Sequence, residues 1–324
     1  MPDSKPIHYR IVDRSNASSG DECARVIEAL LENPPRIEPK YFYDDIGCAL
    51  YAAICLLPEY YPTRTEVALF QQRRKEITGA LGQGRQFVDL GAGDCRKAQG
   101  WLPFISPSRY VPVDFARSEL ERSLARLAPE FPQVELVGVV ADFTVGLPLE
   151  GVLDDSLATF FYPGSSIGNF TPDEAVKFLS MVCAQCVARP GSGLLIGVDG
   201  KKDSAILDAA YDDALGVTAA FNLNVLRHLN RLFGFDFSLD GFVHRGFYNA
   251  AAGRVEMHLE SLREQVVDLA GVRRTFKVGE RIHTENSYKY LPLEFEALLS
   301  SAGFSGIRRW QSAENSYHLF YATA

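Results

Sequence analysis

At 324 residues, 47% of them hydrophobic and 23% charged, the chain has a globular composition and suffices for one large domain or two intimately joined ones. Its formal net charge of -8 argues against a sequence-independent nucleic-acid binder, which needs a basic face to meet phosphates, and favours a small-molecule partner. No stretch is apolar for long enough to cross a bilayer and MPDSKPIHYRIVDRS has no apolar targeting core, so a cytoplasmic protein is expected.

Asp21 to Glu32 places Ala24, Ile27, Leu30 and Leu31 at helical spacing, and Pro34 and Pro35 stop that helix. From Tyr41, YFYDDIGCALYAAICLLPEYYPTRTE sets five tyrosines around a helical apolar core. Tyr51 reads equally well as core or as site, whereas Tyr60 and Tyr61 fall in a loop before Pro62, where phenols mark a site or a lid. A second helix is expected over Glu66 to Leu81. From Gln86 short apolar runs alternate with helical stretches: Phe87 to Leu90, Tyr110 to Val113, Val137 to Val140, Ala158 to Tyr162 and Gly193 to Val198. That alternation predicts a parallel, doubly wound α/β sheet. Thr171 ahead of Pro172 predicts the start of a helix over Asp173 to Ala188. Cys183 and Cys186 form a CxxC near its end with no second pair to complete a zinc site, so no metal is expected and the six cysteines are read as reduced thiols.

After Asp199 a largely helical insertion is expected, with helices at Asp203 to Leu215 and Thr218 to Phe233, then β-like segments at Arg254 to Leu262 and around HTENSYKY. A final helix, Pro292 to Ala302, precedes strands at Gly306 to Trp310 and Ser316 to Tyr321. A late hairpin of that kind completes the Rossmann-like sheet of a class I methyltransferase.

The turn Gly91, Ala92, Gly93 after the first strand lets backbone approach a ligand closely, but Arg96 stands where a dinucleotide site would have Gly or Ala. The next two strands end at Asp114 and at Asp142 with Phe143. Each Asp alone reads equally well as a helix cap. Taken with the glycine turn, they place carboxylates for the ribose and adenine of S-adenosylmethionine and disfavour an NAD-dependent oxidoreductase.

KYFYDDIGCALYAAICLLPEYYPTRTE, DLGAGDCRK, FYPGSSIGNFTP, YDDALGVTAAFNLNVL, RVEMHL and HTENSYKY together resemble the histidine-specific Nα-methyltransferases of ergothioneine biosynthesis, from about Pro39 to Tyr290. The resemblance implies transfer of three methyl groups from S-adenosylmethionine to the α-amino nitrogen of L-histidine, giving hercynine. It implies a substrate-binding domain built from residues 1–65 and 200–288, and a Rossmann-like domain from 66–199 completed by 289–324. The matching cofactor positions are Gly91, Gly93, Lys97, Asp114, Asp142 and Phe143. Tyr60, Asn169 and Tyr211 match the amino-acid clamp, with Tyr43 a second phenol near the carboxylate and Tyr51 an aromatic face for a methylated cation; Tyr43 and Asn169 carry the catalytic assignment. Met257, Glu285 and Ser287 match the imidazole pocket, the last two reaching one side of an extended segment. The glycine turn departs from the family in continuing as DCRK, the loop after Phe161 in reading FYPG, and Asn286 in replacing an apolar residue. The same clamp would serve an Nα-methyltransferase of tyrosine or tryptophan, and a broken clamp would mark a non-catalytic cofactor-binding subunit. A monomer is expected.

Overall fold

The computed structural model describes residues 9–15, 19–314 and 316–324; the first eight residues of the N-terminal stretch read above lie outside these. The chain opens with β1 (Tyr9–Asp13) and then lays down β2 (Gln86–Leu90), β3 (Arg109–Asp114), β4 (Glu135–Val140), β5 (Ala158–Tyr162) and β6 (Gly193–Asp199). It leaves this sheet for β7 (Phe242–Asn249), β8 (Arg254–Ser261), a hairpin of β9 (Gln265–Leu269) and β10 (Val272–Phe276), and β11 (Arg281–Tyr288). It returns for β12 (Gly306–Gln311) and β13 (Tyr317–Thr323).

The large sheet has the order β1-β4-β3-β2-β5-β6-β13-β12, with β13 antiparallel to β6 and to β12 and the other pairs parallel. β2, β5 and β6 are buried at every position, as strands covered by helices on both faces must be. β2 lies between β3 and β5, so the strand order reverses at its carboxyl end and opens a crevice there. A second sheet, β11-β8-β7, is antiparallel. Its inner face packs Val255, Met257, Leu259 and Ile282 into one core with Phe42, Tyr60, Phe221 and Leu229. The N-terminal segment and the insertion therefore share a core.

Thr171 caps the helix Pro172–Val187 in a reciprocal capping box with Glu174, matching the start signal. The expected helix over Glu66 to Leu81 is instead two, Tyr61–Gln72 and Arg74–Leu81, broken where Arg73 adopts φ -103°, ψ 10°. Tyr61 consequently opens a helix, because Pro62 is well tolerated in a first turn; Tyr60 is its N-cap, and both are buried. The helix expected to reach Leu215 ends at Tyr211, where Asp212 turns to φ -142° and Asp213 accepts from the N–H groups of Val217 and Thr218 to start the next one. β1, β7 and the β9–β10 hairpin lack strong alternation and were not anticipated.

Glu66, in the helix Tyr61–Gln72, is fully buried. It accepts from Lys97 Nζ at 2.8 Å, the Gly164 N–H at 2.7 Å and the Tyr317 hydroxyl at 2.6 Å. A Cβ at Gly197 would lie 2.2 Å from its Oε1, so the strand beneath has to be glycine. Removing one partner of such a group leaves the others unsatisfied. Glu66→Ala is expected to cost about 3 kcal/mol or more in urea unfolding, with Glu66→Gln costing less because it keeps one acceptor oxygen; a loss below about 1 kcal/mol for the alanine variant would contradict this placement.

Candidate functional site

At the carboxyl end of β2 the chain turns through Gly91 (φ 67°) and Gly93 (φ 51°), a left-handed course that glycine takes without strain. The turn is tied to β3 by Gly91 and Ala92 N–H groups donating to the Val113 carbonyl at 2.9 and 3.2 Å. Asp114 at the end of β3 accepts from the Gly93 N–H through Oδ2 and from the Ala116 N–H through Oδ1, both at 2.9 Å. Burial raises the Asp114 pKa against those hydrogen bonds, which favour the carboxylate. A Cβ at Gly91 would lie 3.1 Å from the Phe143 ring, so a larger residue there would press on that ring. Asp142 accepts from the Thr144 N–H at 3.1 Å and lies 3.8 Å from Lys40. Gly91, Gly93, Asp114, Asp142 and Phe143 thus gather at the ends of three adjacent strands. Lys97 is held by Glu66, beside this ledge. Beneath it Asp89 is buried and accepts from Tyr110 at 2.8 Å, and burial pushes its carboxyl up to about 7.

A small cavity adjoins the ledge, lined among others by Tyr43, Tyr51, Tyr60, Tyr211, Met257 and Glu285. Its aromatic wall is continuous: Phe115, one residue past Asp114, lies 6.3 Å from Tyr43, followed by Tyr43–Tyr51 at 5.8 Å, Tyr51–Tyr60 at 6.4 Å and Tyr60–Tyr211 at 6.0 Å between ring centroids. The last three contacts are edge-to-face. Burial raises the phenol pKa values of Tyr43, Tyr51 and Tyr60 well above normal, so these hydroxyls stay neutral. Asn169 is half-buried at the end of a single 3-10 turn after β5, outside the cavity lining. Its neighbour Gly168 packs on β11, where a Cβ would meet the Tyr288 carbonyl at 2.8 Å and the Ser287 hydroxyl at 3.4 Å.

The inner face of the second sheet carries the other half of the pocket. A bulge in β11 leaves Thr284 without a partner strand residue and sets Glu285 opposite Met257 and Ser287 opposite Val255. Thr284 donates to the Met257 carbonyl at 3.0 Å. The bulge is what turns Glu285 inward, since one residue's slip reverses every side chain beyond it. Burial pushes the Glu285 carboxyl up to about 7, with Lys289 acting in the opposite direction. On the outer face, ligand atoms of Glu256, His258 and His283 lie within 4.8 Å of one another, a cluster that sequence spacing did not reveal. Glu256 holds the Arg254 guanidinium at 2.8 Å and His258 Nε2 at 2.9 Å, and His283 Nε2 meets the Glu285 carbonyl at 3.1 Å and so braces the bulge, while His258 Nδ1 is buried without a hydrogen-bond partner.

Ser287 lies behind the cavity wall, 2.7 Å from the Tyr211 hydroxyl. Both join a buried network that the sequence reading missed: Lys289, Asp199, Tyr61 and Lys202. Lys289 is 3.0 Å from Asp199 Oδ2, and Tyr61 and Lys202 also donate to Asp199. Lys289 shares the alternating parity of Glu285 and Ser287, and Asp199 ends a strand as Asp114 does; those were the signals available. Burial lowers the Lys202 pKa to about 8 against the pull of Asp199.

A family model described as histidine-specific methyltransferase, SAM-dependent, matches residues 22–324. The chain belongs to that family. Histidine N-alpha-methyltransferase of Mycobacterium tuberculosis is 37% identical over 303 residues, covering 92% of this chain and 93% of the relative. The protein of that name from Mycolicibacterium smegmatis is 37% identical over 314 residues, covering 94% and 96%. Ergothioneine biosynthesis protein 1 of Neurospora crassa is 28% identical over 288 residues, covering 86% of this chain and 32% of that longer protein. Among the described residues, no helix of this methyltransferase is long and apolar enough to cross a membrane.

The ledge fits S-adenosylmethionine: each oxygen of Asp114 takes one backbone N–H and keeps lone pairs for ribose hydroxyls. The raised pKa of Glu285 has a sign that can be checked. The folded methyltransferase keeps a proton on this carboxyl up to about pH 7, whereas the unfolded chain releases it near its ordinary value of 4.5. Wild-type stability therefore falls as pH rises from that value through about 7, relative to a chain lacking the group. Urea unfolding without ligand at about pH 5 and about pH 8 is expected to show Glu285→Gln gaining on wild type by about 1–3 kcal/mol at the higher pH; an unchanged difference would mean the carboxyl is ionised throughout.

Proposed function

We propose that this chain transfers three methyl groups from S-adenosylmethionine to the α-amino nitrogen of L-histidine, forming hercynine, the first step of ergothioneine biosynthesis. The observation that carries the reading is the convergence of Tyr60 and Tyr211 with Met257 and the inward-turned Glu285 on one cavity, whose wall meets Phe115, the residue after Asp114. The clamp side suits an amino acid's head group, and the β8–β11 side suits a small ring with hydrogen-bonding nitrogens. A large apolar ring would bring hydrocarbon against Glu285, which disfavours tyrosine or tryptophan as substrate. An intact set of clamp residues likewise disfavours a non-catalytic cofactor-binding subunit.

When bound, S-adenosylmethionine supplies an electrophilic methyl carbon on a positively charged sulfur. Asp114 would accept from its ribose and Asp142 from its adenine amino group, with Phe143 and the backbone of Gly91 and Gly93 forming the ledge and Lys97 beside them. The protein's remaining task is to hold an unprotonated amine in line. Asn169 would accept from the amine through its carbonyl and donate to the carboxylate through its amide. Tyr60 and Tyr211 would donate to the carboxylate, Glu285 would meet the imidazole with Met257 packing on the ring, and Ser287, expected from the sequence to share that role, would act from behind the wall through Tyr211. The amine lone pair held there would form the new C–N bond as the methyl leaves sulfur, and the nitrogen would give up a proton to solvent before each following round. Tyr43 and Tyr51, kept neutral by burial, present a hydroxyl and a π face to a nitrogen that ends as a permanent cation.

The same reading takes residues 1–65 and 200–288 as the substrate-binding domain and 66–199 with 289–324 as the Rossmann-like one, in a cytoplasmic monomer that needs no metal. With twenty amino acids offered in turn alongside S-adenosylmethionine, mass measurement is expected to show three methyl groups added to histidine and far less to any other; three methyls on an aromatic amino acid with none on histidine would overturn the assignment. The sequence offers no strong general base beside Asn169, so the rate is expected to climb with pH as the substrate ammonium deprotonates in solution, and a flat profile from mildly acidic to alkaline pH would contradict that.

A further inference from the structure

Lys289 is buried and its ammonium has three hydrogens to donate. The geometry uses all of them: Ser287 Oγ lies at 2.9 Å, Tyr211 Oη at 3.0 Å and Asp199 Oδ2 at 3.0 Å. The ammonium also lies 4.9 Å from the centroid of the Tyr211 ring. Two hydroxyls are therefore compelled to act as acceptors toward Lys289, and they stand 2.7 Å from each other, a gap that holds one hydrogen. Of their two hydroxyl hydrogens, one remains. Tyr211 lines the cavity and Ser287 does not, so the arrangement that presents a donor to the cavity has Ser287 donating to Tyr211 and Tyr211 donating inward. Ser287 then keeps one lone pair. A positive charge one atom behind such a phenol strengthens it as a donor to an anion.

The charge is stable where it sits. Burial alone would favour neutral Lys289 and protonated Asp199, but each is outweighed by its partners: Tyr211 and Asp199 hold the ammonium, and Lys289 and Lys202 hold the carboxylate. Asp199 is further satisfied by the Tyr61 hydroxyl, which itself accepts from Lys202 at 2.6 Å.

We propose that Lys289, balanced by Asp199, is the positioning residue of the amino-acid clamp: it orients the Tyr211 and Ser287 hydroxyls and supplies the buried positive charge that selects a substrate bearing a free α-carboxylate. The inference rests on the functional reading above, and it adds that recognition of the head group is electrostatic at a residue which does not touch the substrate. It acts through Tyr211, which accepts from the ammonium and from Ser287, on the carboxylate end of the pocket.

The experiment compares L-histidine with L-histidinamide, which lacks the anionic carboxylate, in wild type, Lys289→Met and the double variant Asp199→Asn/Lys289→Met. The double variant removes both charges of the pair, so it carries the test if the single variant fails to fold because Asp199 has lost one of its two cations. Wild type is expected to prefer histidine in kcat/KM. In either folded variant the KM for histidine should rise roughly tenfold or more, the KM for histidinamide should move about twofold or less, and binding of S-adenosylhomocysteine by calorimetry should be unchanged. A purely structural loss would weaken both amino compounds and the nucleoside alike. A folded double variant that retains the wild-type preference for histidine over histidinamide overturns the proposal. Wild type adding no methyl to histidine would instead defeat the functional reading itself.

Discussion

The ion pair between Lys289 and Asp199 is the contact through which the two sheets act on one site. Asp199 ends a strand of the parallel sheet, Lys289 directly follows the bulged strand of the inserted sheet, and Tyr61 from the N-terminal segment closes the group. Two charges shut away from water are costly unless each is fully hydrogen-bonded, and here the carboxylate receives donors from Tyr61, Lys202 and Lys289. Such a group tolerates little displacement.

Around that pair the chemistry divides by polarity. The ledge offers carboxylates and backbone to a nucleoside, while the cavity offers neutral phenols, a thioether and a carboxyl whose pKa sits near 7. A pocket lined by ionised acids would hold the substrate amine as an ammonium, which has no lone pair to react. Burial of Tyr43, Tyr51 and Tyr60 avoids this by keeping their hydroxyls uncharged. The outer face of the inserted sheet contributes indirectly: His283 grips the Glu285 carbonyl and so holds the bulge that turns that carboxyl inward.

Much of this was legible in the chain because the relevant signals are local. The glycine turn, the strand-terminal Asp114 and Asp142 and the Thr171 cap depend on adjacent residues, and they fall where their patterns place them. The parity of Met257 against Glu285 and Ser287 also came through, although Glu285 reaches the inner face only by a bulge that no spacing announces. What escaped were interactions of high sequence separation. Lys289 meets Asp199 ninety residues away, Glu66 meets Tyr317 across almost the whole chain, and Tyr61 looked like a loop phenol because its partner lies on another strand. Edge elements such as β1 and the β9–β10 hairpin were missed for a related reason: short strands of mixed polarity are defined by their neighbours.

In the proposed function the clamp aligns the α-amino nitrogen, and not the imidazole, with the reactive methyl. The most direct measurement is nuclear magnetic resonance of the product formed from histidine and methyl-¹³C-labelled S-adenosylmethionine. A single labelled trimethylammonium environment with a long-range correlation to the α-carbon is expected. Label on an imidazole nitrogen, or a product that stops with methyls shared between ring and amine, would contradict it.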